Sequence, residues 1–250
     1  LNRENTGKKE TNMEDRLLYL SGKFEEYGFS FSEQQKRQFY TFYELLIEWN
    51  QKMNLTSITE FDEVVKKHFI DSLFINKIID LNYSLKILDL GTGAGFPGIP
   101  LKIAFPEIKI TLMDSLNKRI TFLNEVIKEL KLTSIETVHA RAEDLANDKL
   151  YREKFDLCVS RAVANLSTLS EYCIPFIRIG GKFVSYKSGE VKSEAEASKK
   201  ACYLLGGELT DIYRFEIEDN KRSFIIIEKV RSTPEKYPRK SGTPSRIPLK

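Results

Sequence analysis

Two histidines, three cysteines and one tryptophan in 250 residues leave little material for a metal centre or a disulfide framework. Cys158, Cys173 and Cys202 form no CxxC pair, and their odd number suits a reducing cytoplasm. No apolar run approaches the roughly 20 residues that span a bilayer, which argues against a membrane protein. The leading LNRENTGKKETN lacks the hydrophobic stretch of a secretory signal. Charge of one sign is missing too: 39 Lys and Arg against 36 Asp and Glu give a net charge of +3, too little to imply a nucleic-acid partner by itself. Repeats and low-complexity tracts are absent. What is there, 41% hydrophobic and 30% charged residues, is enough for a sizeable core, and the length suits one main domain with an added subdomain.

Residues 1–12 read as a disordered leader. Residues 13–84 read as a helical subdomain, because apolar side chains recur every three or four positions. Leu17, Leu20, Phe24 and Tyr27 mark one helix; Phe39, Phe42, Leu46 and Trp49 a second; Val65, Phe69 and Leu73 a third. Gly28 breaks the first helix, Ser32 is a candidate N-cap for the second, which should end near Asn50, and Asn54–Ser57 reads as a loop. From residue 85 to 230 the pattern changes to strand–helix alternation. Strands are expected at Lys86–Leu90, Ile108–Asp114, Ile135–Ala140, Phe155–Ala162 and Gly181–Ser188, with Ser115 capping the helix after the second. Helices are expected over Ile99–Phe105, around Leu166–Arg178 and over Val191–Leu205. Glu208–Glu218 and Ser223–Val230 form a closing hairpin. The fold class is therefore α/β: a doubly wound, mostly parallel sheet ending in an antiparallel pair. Residues 231–250 form a basic tail with four prolines, which should be extended and poorly packed. It suits a phosphate backbone or serves as a solvated tail.

The strongest chemical signal is Asp89-Leu90-Gly91-Thr92-Gly93-Ala94-Gly95, which follows a strand and opens a helix. Glycines there let a ligand approach the backbone with no Cβ in the way. Asp114 closes the next strand, near the spacing at which a carboxylate receives both hydroxyls of an adenosine ribose. A dinucleotide fits poorly: Phe96 follows Gly95, Pro97 and Pro100 occupy the helix start, and Asp89 would repel a pyrophosphate. A cofactor carrying an ammonium and a sulfonium suits Asp89, which favours S-adenosylmethionine. The loops after the third and fourth strands should line the same crevice. Ala142 and Glu143 would then flank the adenine, and Arg161, a cation ending an apolar strand, would emerge at the centre.

Beyond these segments, EWNQKMNLTSI (Glu48–Ile58), KHFIDSL (Lys67–Leu73), LDLGTGAGFPGIPL (Leu88–Leu101), DSLNKRITFL (Asp114–Leu123), HARAED (His139–Asp144), SRAVANL (Ser160–Leu166) and YPRKSGTPSRIPL (Tyr237–Leu249) span nearly the whole chain from Met13. Together they resemble the bacterial small-subunit ribosomal RNA methyltransferase G family, formerly called glucose-inhibited division protein B. The resemblance implies a Rossmann-like class I methyltransferase sheet. It also implies methylation at N7 of one guanosine in 16S rRNA, guanosine 527 in rRNA numbering. By motif match, donor contacts would fall on Gly91, Phe96, Ala142, Glu143 and Arg161, alongside Asp89, Gly93, Gly95 and Asp114 from the glycine-loop reading. The partner would be 16S rRNA or the 30S subunit, met by a monomer.

The chemistry of the residues agrees. After the fourth strand stands Ser160-Arg161-Ala162-Val163, not the (N/D)PP(Y/F) of exocyclic amine methyltransferases, and no Pro-Cys pair supplies a nucleophile for cytosine C5. Guanine N7 needs neither, since its lone pair is free, so positioning can carry catalysis and no general base is expected. Arg161 and Arg141 are the candidate substrate-positioning residues. Lys118, Arg119, Lys187, Arg239, Lys240 and Arg246 are candidate RNA contacts. His68 and Asp71 share a helix face with Val64 and Ile75, which favours a structural contact over a substrate contact. His139 reads as a strand-end residue and Trp49 as core. Three other readings stay open on the residues alone: an enzyme of this fold acting on a small molecule or protein, a cofactor-binding RNA module without activity and, third, a nicotinamide oxidoreductase.

Overall fold

The computed structural model describes residues 2–161 and 164–250, with side chains from residue 13 onward. Seven strands make one sheet: β1 (Lys86–Leu90), β2 (Lys109–Asp114), β3 (Ile135–His139), β4 (Phe155–Ser160), β5 (Ile177–Ser188), β6 (Gly207–Ile217) and β7 (Asn220–Lys229). Their order is β3-β2-β1-β4-β5-β7-β6. The first five are parallel, and β7 inserts antiparallel between β5 and β6. The chain thus winds outward from β1 to β3, then restarts at β4 on the other side. This leaves a crevice at the carboxyl ends of β1 and β4, where ligands bind in such sheets. The expected hairpin is β6–β7. The pair β1 and β4 is buried on both faces, as central parallel strands must be, and so reads as nearly continuous apolar sequence.

Alternate strand positions feed two cores. Ile87, Val159, Val184 and Phe224 face the side covered by α1 (Asn2–Glu26), α2 (Glu33–Met53), α5 (Gly98–Ala104) and α6 (Asn117–Glu129). Leu88, Cys158, Phe183 and Ile225 face the side covered by α7 (Ala142–Leu145), α8 (Leu166–Cys173) and α9 (Lys192–Leu204). The N-terminal helices have no core of their own. Phe24, Phe39, Phe42 and Phe69 belong to the first sheet core, and Gln35 Nε2 donates to the Ile103 and Ala104 carbonyls at the end of α5.

Several boundaries move, each for a local reason. Helix α1 extends back to Asn2, through the segment expected to be disordered. Ser32 caps α2 as expected, completed by a Gln35 capping box, but the helix runs past Asn50 to Met53 and stops at Asn54, which adopts the left-handed conformation. The third helix is composite: α3 (Phe61–Val64), a π-helical stretch (Val65–Ile70) and α4 (Asp71–Leu73). Leu116, not Ser115, stands at the N-cap of α6, and its N–H is taken by Asp114 Oδ1 at 2.9 Å. Helix α8 ends at Cys173, because Pro175 turns the chain through a 3-10 segment, so β5 starts at Ile177, earlier than the expected Gly181. The fourth strand, expected over Phe155–Ala162, ends at Ser160; Ala162 and Val163 lie outside the described residues.

The tail differs most. It is packed, with Tyr237 and Pro244 buried and a short helix, α10 (Thr243–Arg246), lying against α8. Arg152 holds it by donating to the carbonyls of Thr233, Pro234 and Tyr237.

Candidate active site

The glycine loop leaves β1 with Gly91, Gly93 and Gly95 all at positive φ, a conformation side chains resist. At Gly95 a Cβ would also sit 2.6 Å from the Ile99 side chain. Gly98, the first residue of α5, is small for another reason: a Cβ there would lie 2.2 Å from Leu112 and 2.7 Å from Asp89 Oδ2. This close approach lets Gly98 N–H donate to Asp89 Oδ2 at 2.8 Å, where Thr92 Oγ1 also donates at 2.6 Å. Asp89 itself is fully buried, and its other oxygen, Oδ1, has no hydrogen-bond partner among the described residues. Burial pushes its pKa up to about 7, against the hydrogen bonds from Thr92 and Gly98 and the attraction of Arg161. A buried carboxylate oxygen without a donor is costly unless a ligand completes it.

Asp114 is buried at the end of β2. Its Oδ2 accepts from Gly93 N–H at 3.0 Å and Arg119 Nη1 at 3.1 Å, and its Oδ1 from Leu116 N–H. A carboxylate has about four acceptor sites, so the acid retains capacity toward the cavity it lines.

Three chambers run side by side across the carboxyl edge of the sheet. The middle one, about 370 Å3, is lined by Gly91–Ala94, Phe96, Asp114, Arg119, Arg161 and, from the NLTS loop, Leu55 and Thr56. Gly91, Asp114 and Ser115 also line a chamber of about 330 Å3 formed with Arg141, Ala142, Glu143, Tyr172 and the tail residues Ser241, Gly242 and Ser245. On the other side His68 and Arg161 are shared with a chamber of about 430 Å3 bordered by Lys67, Asp71, Tyr186, Lys187 and Arg222. A larger cavity of about 490 Å3 sits among Lys86, Lys109 and Lys154, at the amino ends of the strands and away from this chemistry.

Arg161 ties the arrangement together. Its Nη1 donates to Asp71 Oδ2 at 3.1 Å and to the Lys67 carbonyl at 3.2 Å, its Nη2 reaches His68 Nδ1 at 3.1 Å, and the guanidinium lies 5.0 Å from the Phe96 ring centre. Arginine only donates, so His68 Nδ1 is the acceptor, and the proton on Nε2 goes to Thr56 Oγ1 at 2.9 Å. Burial first, and the Arg161 charge second, depress the His68 pKa to about 3. His68 is therefore neutral at physiological pH, and it stacks on Phe96 at 4.4 Å. Asp71 is buried between two cations, with Arg222 Nε donating to its Oδ1 at 3.0 Å.

Of the residues expected to hold the donor, Gly91, Gly93, Phe96, Asp114, Ala142, Glu143 and Arg161 line two adjoining chambers, while Asp89 lies wholly buried behind the glycine loop and lines neither, and Gly95 shapes the loop from behind. Arg141 is exposed, and its Nη1 donates to Ser241 Oγ. Of the cations expected to touch RNA, Lys118, Lys240 and Arg246 are exposed. The others turn inward. Arg119 pairs with Asp114, and Lys187 Nζ donates to Glu194 at 2.8 Å and to the Ala164 carbonyl. Arg239 makes a forked pair with Glu171, itself wholly buried on α8. Trp49 packs on Phe122, and His139 reaches the Ser115 carbonyl at the strand end, both as expected. Sequence reasoning missed Thr56, Arg222 and the tail's part in the cavity. The three cysteines are free and buried, and burial raises the Cys158 thiol pKa far above its usual range, which removes a thiolate nucleophile.

The sequence profile of the family described as rRNA small subunit methyltransferase G matches residues 35–225. The chain belongs to this family. A relative named ribosomal RNA small subunit methyltransferase G from Acetivibrio thermocellus is 53% identical over 225 residues, covering 89% of this chain and 92% of the relative. Another of the same name from Staphylococcus aureus is 48% identical over 233 residues, covering 92% and 97%. Among solved structures, the fold is similar to that of M. jannaschii TYW2 in complex with AdoMet, with TM-score 0.51 and 16% identity over 60% of this chain and 71% of that one. It is likewise similar to TrmN from Thermus thermophilus, with TM-score 0.50 and 14% identity over 66% and 53%. The family's fold is thus the class I, Rossmann-like methyltransferase sheet seen here.

Proposed function

We propose that the chain transfers a methyl group from S-adenosylmethionine to N7 of a guanosine in 16S rRNA, at guanosine 527, in the cytoplasm. The observation that carries the reading is the union, at Arg161 and His68, of the glycine-loop chamber with a chamber rimmed by Lys67, Arg161, Lys187 and Arg222.

The donor supplies a methyl group on a sulfonium. The residues present fit it: Asp89, buried behind the glycine loop with one oxygen unpartnered among the described residues, places negative charge near a cationic end, Asp114 has acceptor capacity for a ribose, and Ala142-Glu143 suit an adenine. The cation-rimmed chamber suits a nucleotide with its phosphates. His68 at the junction is a poor general base, because Arg161 occupies its Nδ1 and its pKa is about 3, far below neutrality. That suits N7, which loses no proton on methylation. Arg161, anchored on Asp71, His68 and the Lys67 carbonyl, is held in place before substrate arrives, and fixed dipoles and charges of this kind are what a positioning mechanism needs. A cation beside N7 would oppose the charge developing there, so Arg161 holds O6 or a phosphate instead.

The deciding experiment is transfer of labelled methyl to purified 30S particles and to naked 16S rRNA, followed by nucleoside analysis. Label in 7-methylguanosine supports the reading; label in any other nucleoside, or none, overturns it.

A further inference from the structure

We propose that the C-terminal segment Tyr237–Ser245 is a built wall of the donor pocket, which sets affinity for the adenosyl group and takes no part in gripping RNA. The inference rests on the reading of the neighbouring chamber as a donor site.

Three independent tethers support it. Glu171, wholly buried on α8, accepts from the backbone N–H of Arg239 at 2.7 Å and from its guanidinium Nε and Nη2 at 2.9 and 2.7 Å. Such a charge-assisted fork fixes both the place and the direction of the chain. The next residues then cross the mouth between β2 and α7. Gly242 N–H donates to Glu143 Oε1 at 2.8 Å, and Ser241 Oγ accepts from Arg141 Nη1 at 3.0 Å. Gly242 is at φ +80, and this left-handed turn brings its N–H onto the carboxylate. Beyond it, the Pro244 carbonyl accepts from buried Thr168 Oγ1 at 3.1 Å. As a result Ser241, Gly242 and Ser245 face Gly91, Asp114 and Ala142 across one cavity of about 330 Å3.

The chemistry of the cavity suits an adenine. Glu143 gives one oxygen to Gly242, and no protein donor reaches its Oε2 among the described residues, so an acceptor for an exocyclic amine stays available beside the Ala142 apolar surface and the Tyr172 ring. The same bond orients that carboxylate. Arg239 is thus a positioning residue: it acts on the ligand through the strap and Glu143.

The test is calorimetry of S-adenosylhomocysteine, which carries the adenosyl group and undergoes no reaction, on the full chain. Ser241→Trp places bulk in the cavity without touching the core, and Arg239→Ala releases the strap. Each should weaken binding at least tenfold and raise the donor KM with kcat nearly unchanged, while 16S rRNA affinity and its salt dependence stay at the wild-type level. Arg239→Ala leaves Glu171 buried without its partner and can lower the melting temperature; Ser241→Trp, folded as shown by an unchanged melting temperature, then carries the test. Wild-type affinity for S-adenosylhomocysteine in folded Ser241→Trp overturns the proposal, as does loss of rRNA affinity with donor affinity intact. Absence of binding in the wild type would overturn the donor reading itself, a result distinct from either.

Discussion

Protonating Asp89 should weaken donor binding in a pH window that the structure defines. Its carboxyl group, stripped of water, titrates at about 7 instead of near 4. A ligand with fixed positive charge favours the ionised form, so the apparent Kd scales as one plus the ratio of protonated to ionised Asp89. That makes binding about tenfold weaker at pH 6 than on the plateau, about 1.4 kcal/mol, and roughly thirtyfold weaker at pH 5.5. The donor's own α-amino group loses its proton above about pH 8, which lowers affinity again. Affinity should therefore pass through a maximum, and the acid limb belongs to Asp89. His68 titrates far lower and Tyr186 far higher, so neither contributes within the window. Asp89→Asn keeps an acceptor for Gly98 N–H and Thr92, yet removes the charge, so it should bind weakly and without the acid limb. Calorimetry from pH 5.5 to 7.5, in two buffers of different ionisation heat, reads both the affinity and the proton released. Equal wild-type affinity at pH 6 and 7.5, or an acid limb persisting in Asp89→Asn, would refute the reasoning.

Arg161→Ala removes charge-assisted hydrogen bonds worth about 1.5–3 kcal/mol and should cut kcat/KM for methyl transfer by about 10- to 100-fold; an unchanged value removes Arg161 from the mechanism. Gly98→Ala forces a methyl against Leu112 and Asp89, and overpacking of about 1–3 kcal/mol should lower the melting temperature by several degrees, read by calorimetric scanning. Lys118→Ala with Arg246→Ala should flatten the dependence of log rRNA affinity on log salt by about 0.7 for each phosphate no longer neutralised. Lys187→Ala, whose ammonium is spent on Glu194 and the Ala164 carbonyl, should change that slope little.

The donor side of the site was legible in the sequence because its signals are local. A strand, three spaced glycines and an acid closing the next strand are fixed by neighbouring backbone geometry, and all are in place. The partners of Arg161 were not legible, since Asp71 lies 90 residues away and Arg222 lies 151 residues from Asp71 along the chain. The helical spacing of His68 and Asp71 pointed to a structural seam, and both do brace Arg161, but all three side chains line the cavity. The π-helical stretch Val65–Ile70 adds to the difficulty, because it shifts which residues share a face relative to a 3.6-residue repeat. The tail was misread through its composition. Basic residues and prolines suggested an extended, solvated strand, but a buried Glu171 within the apolar helix Leu166–Cys173 supplies the partner that Arg239 packs against. An acid in that apolar stripe was the one available sign that a cation must return to it.

The two shifted groups at the heart of the site also act in opposite senses on stability. Asp89 titrates above its unfolded value, so the folded chain holds an extra proton between about pH 4 and 7, and its contribution falls as pH rises through that range. His68 titrates below its unfolded value, so the folded chain lacks a proton between about pH 3 and 6.5, and its contribution rises with pH there. Each slope is about 1.4 kcal/mol per pH unit where only one form of each state exists, so between pH 4 and 6.5 they nearly cancel. Wild-type stability to denaturant should therefore show little slope from these groups across that range. Asp89→Asn exposes the His68 slope, and its stability should climb by about 2–3 kcal/mol from pH 4.5 to 6.5 relative to wild type. Parallel pH profiles for the two proteins would mean that the buried carboxylate is ionised throughout, and would take the acid limb of donor binding with it.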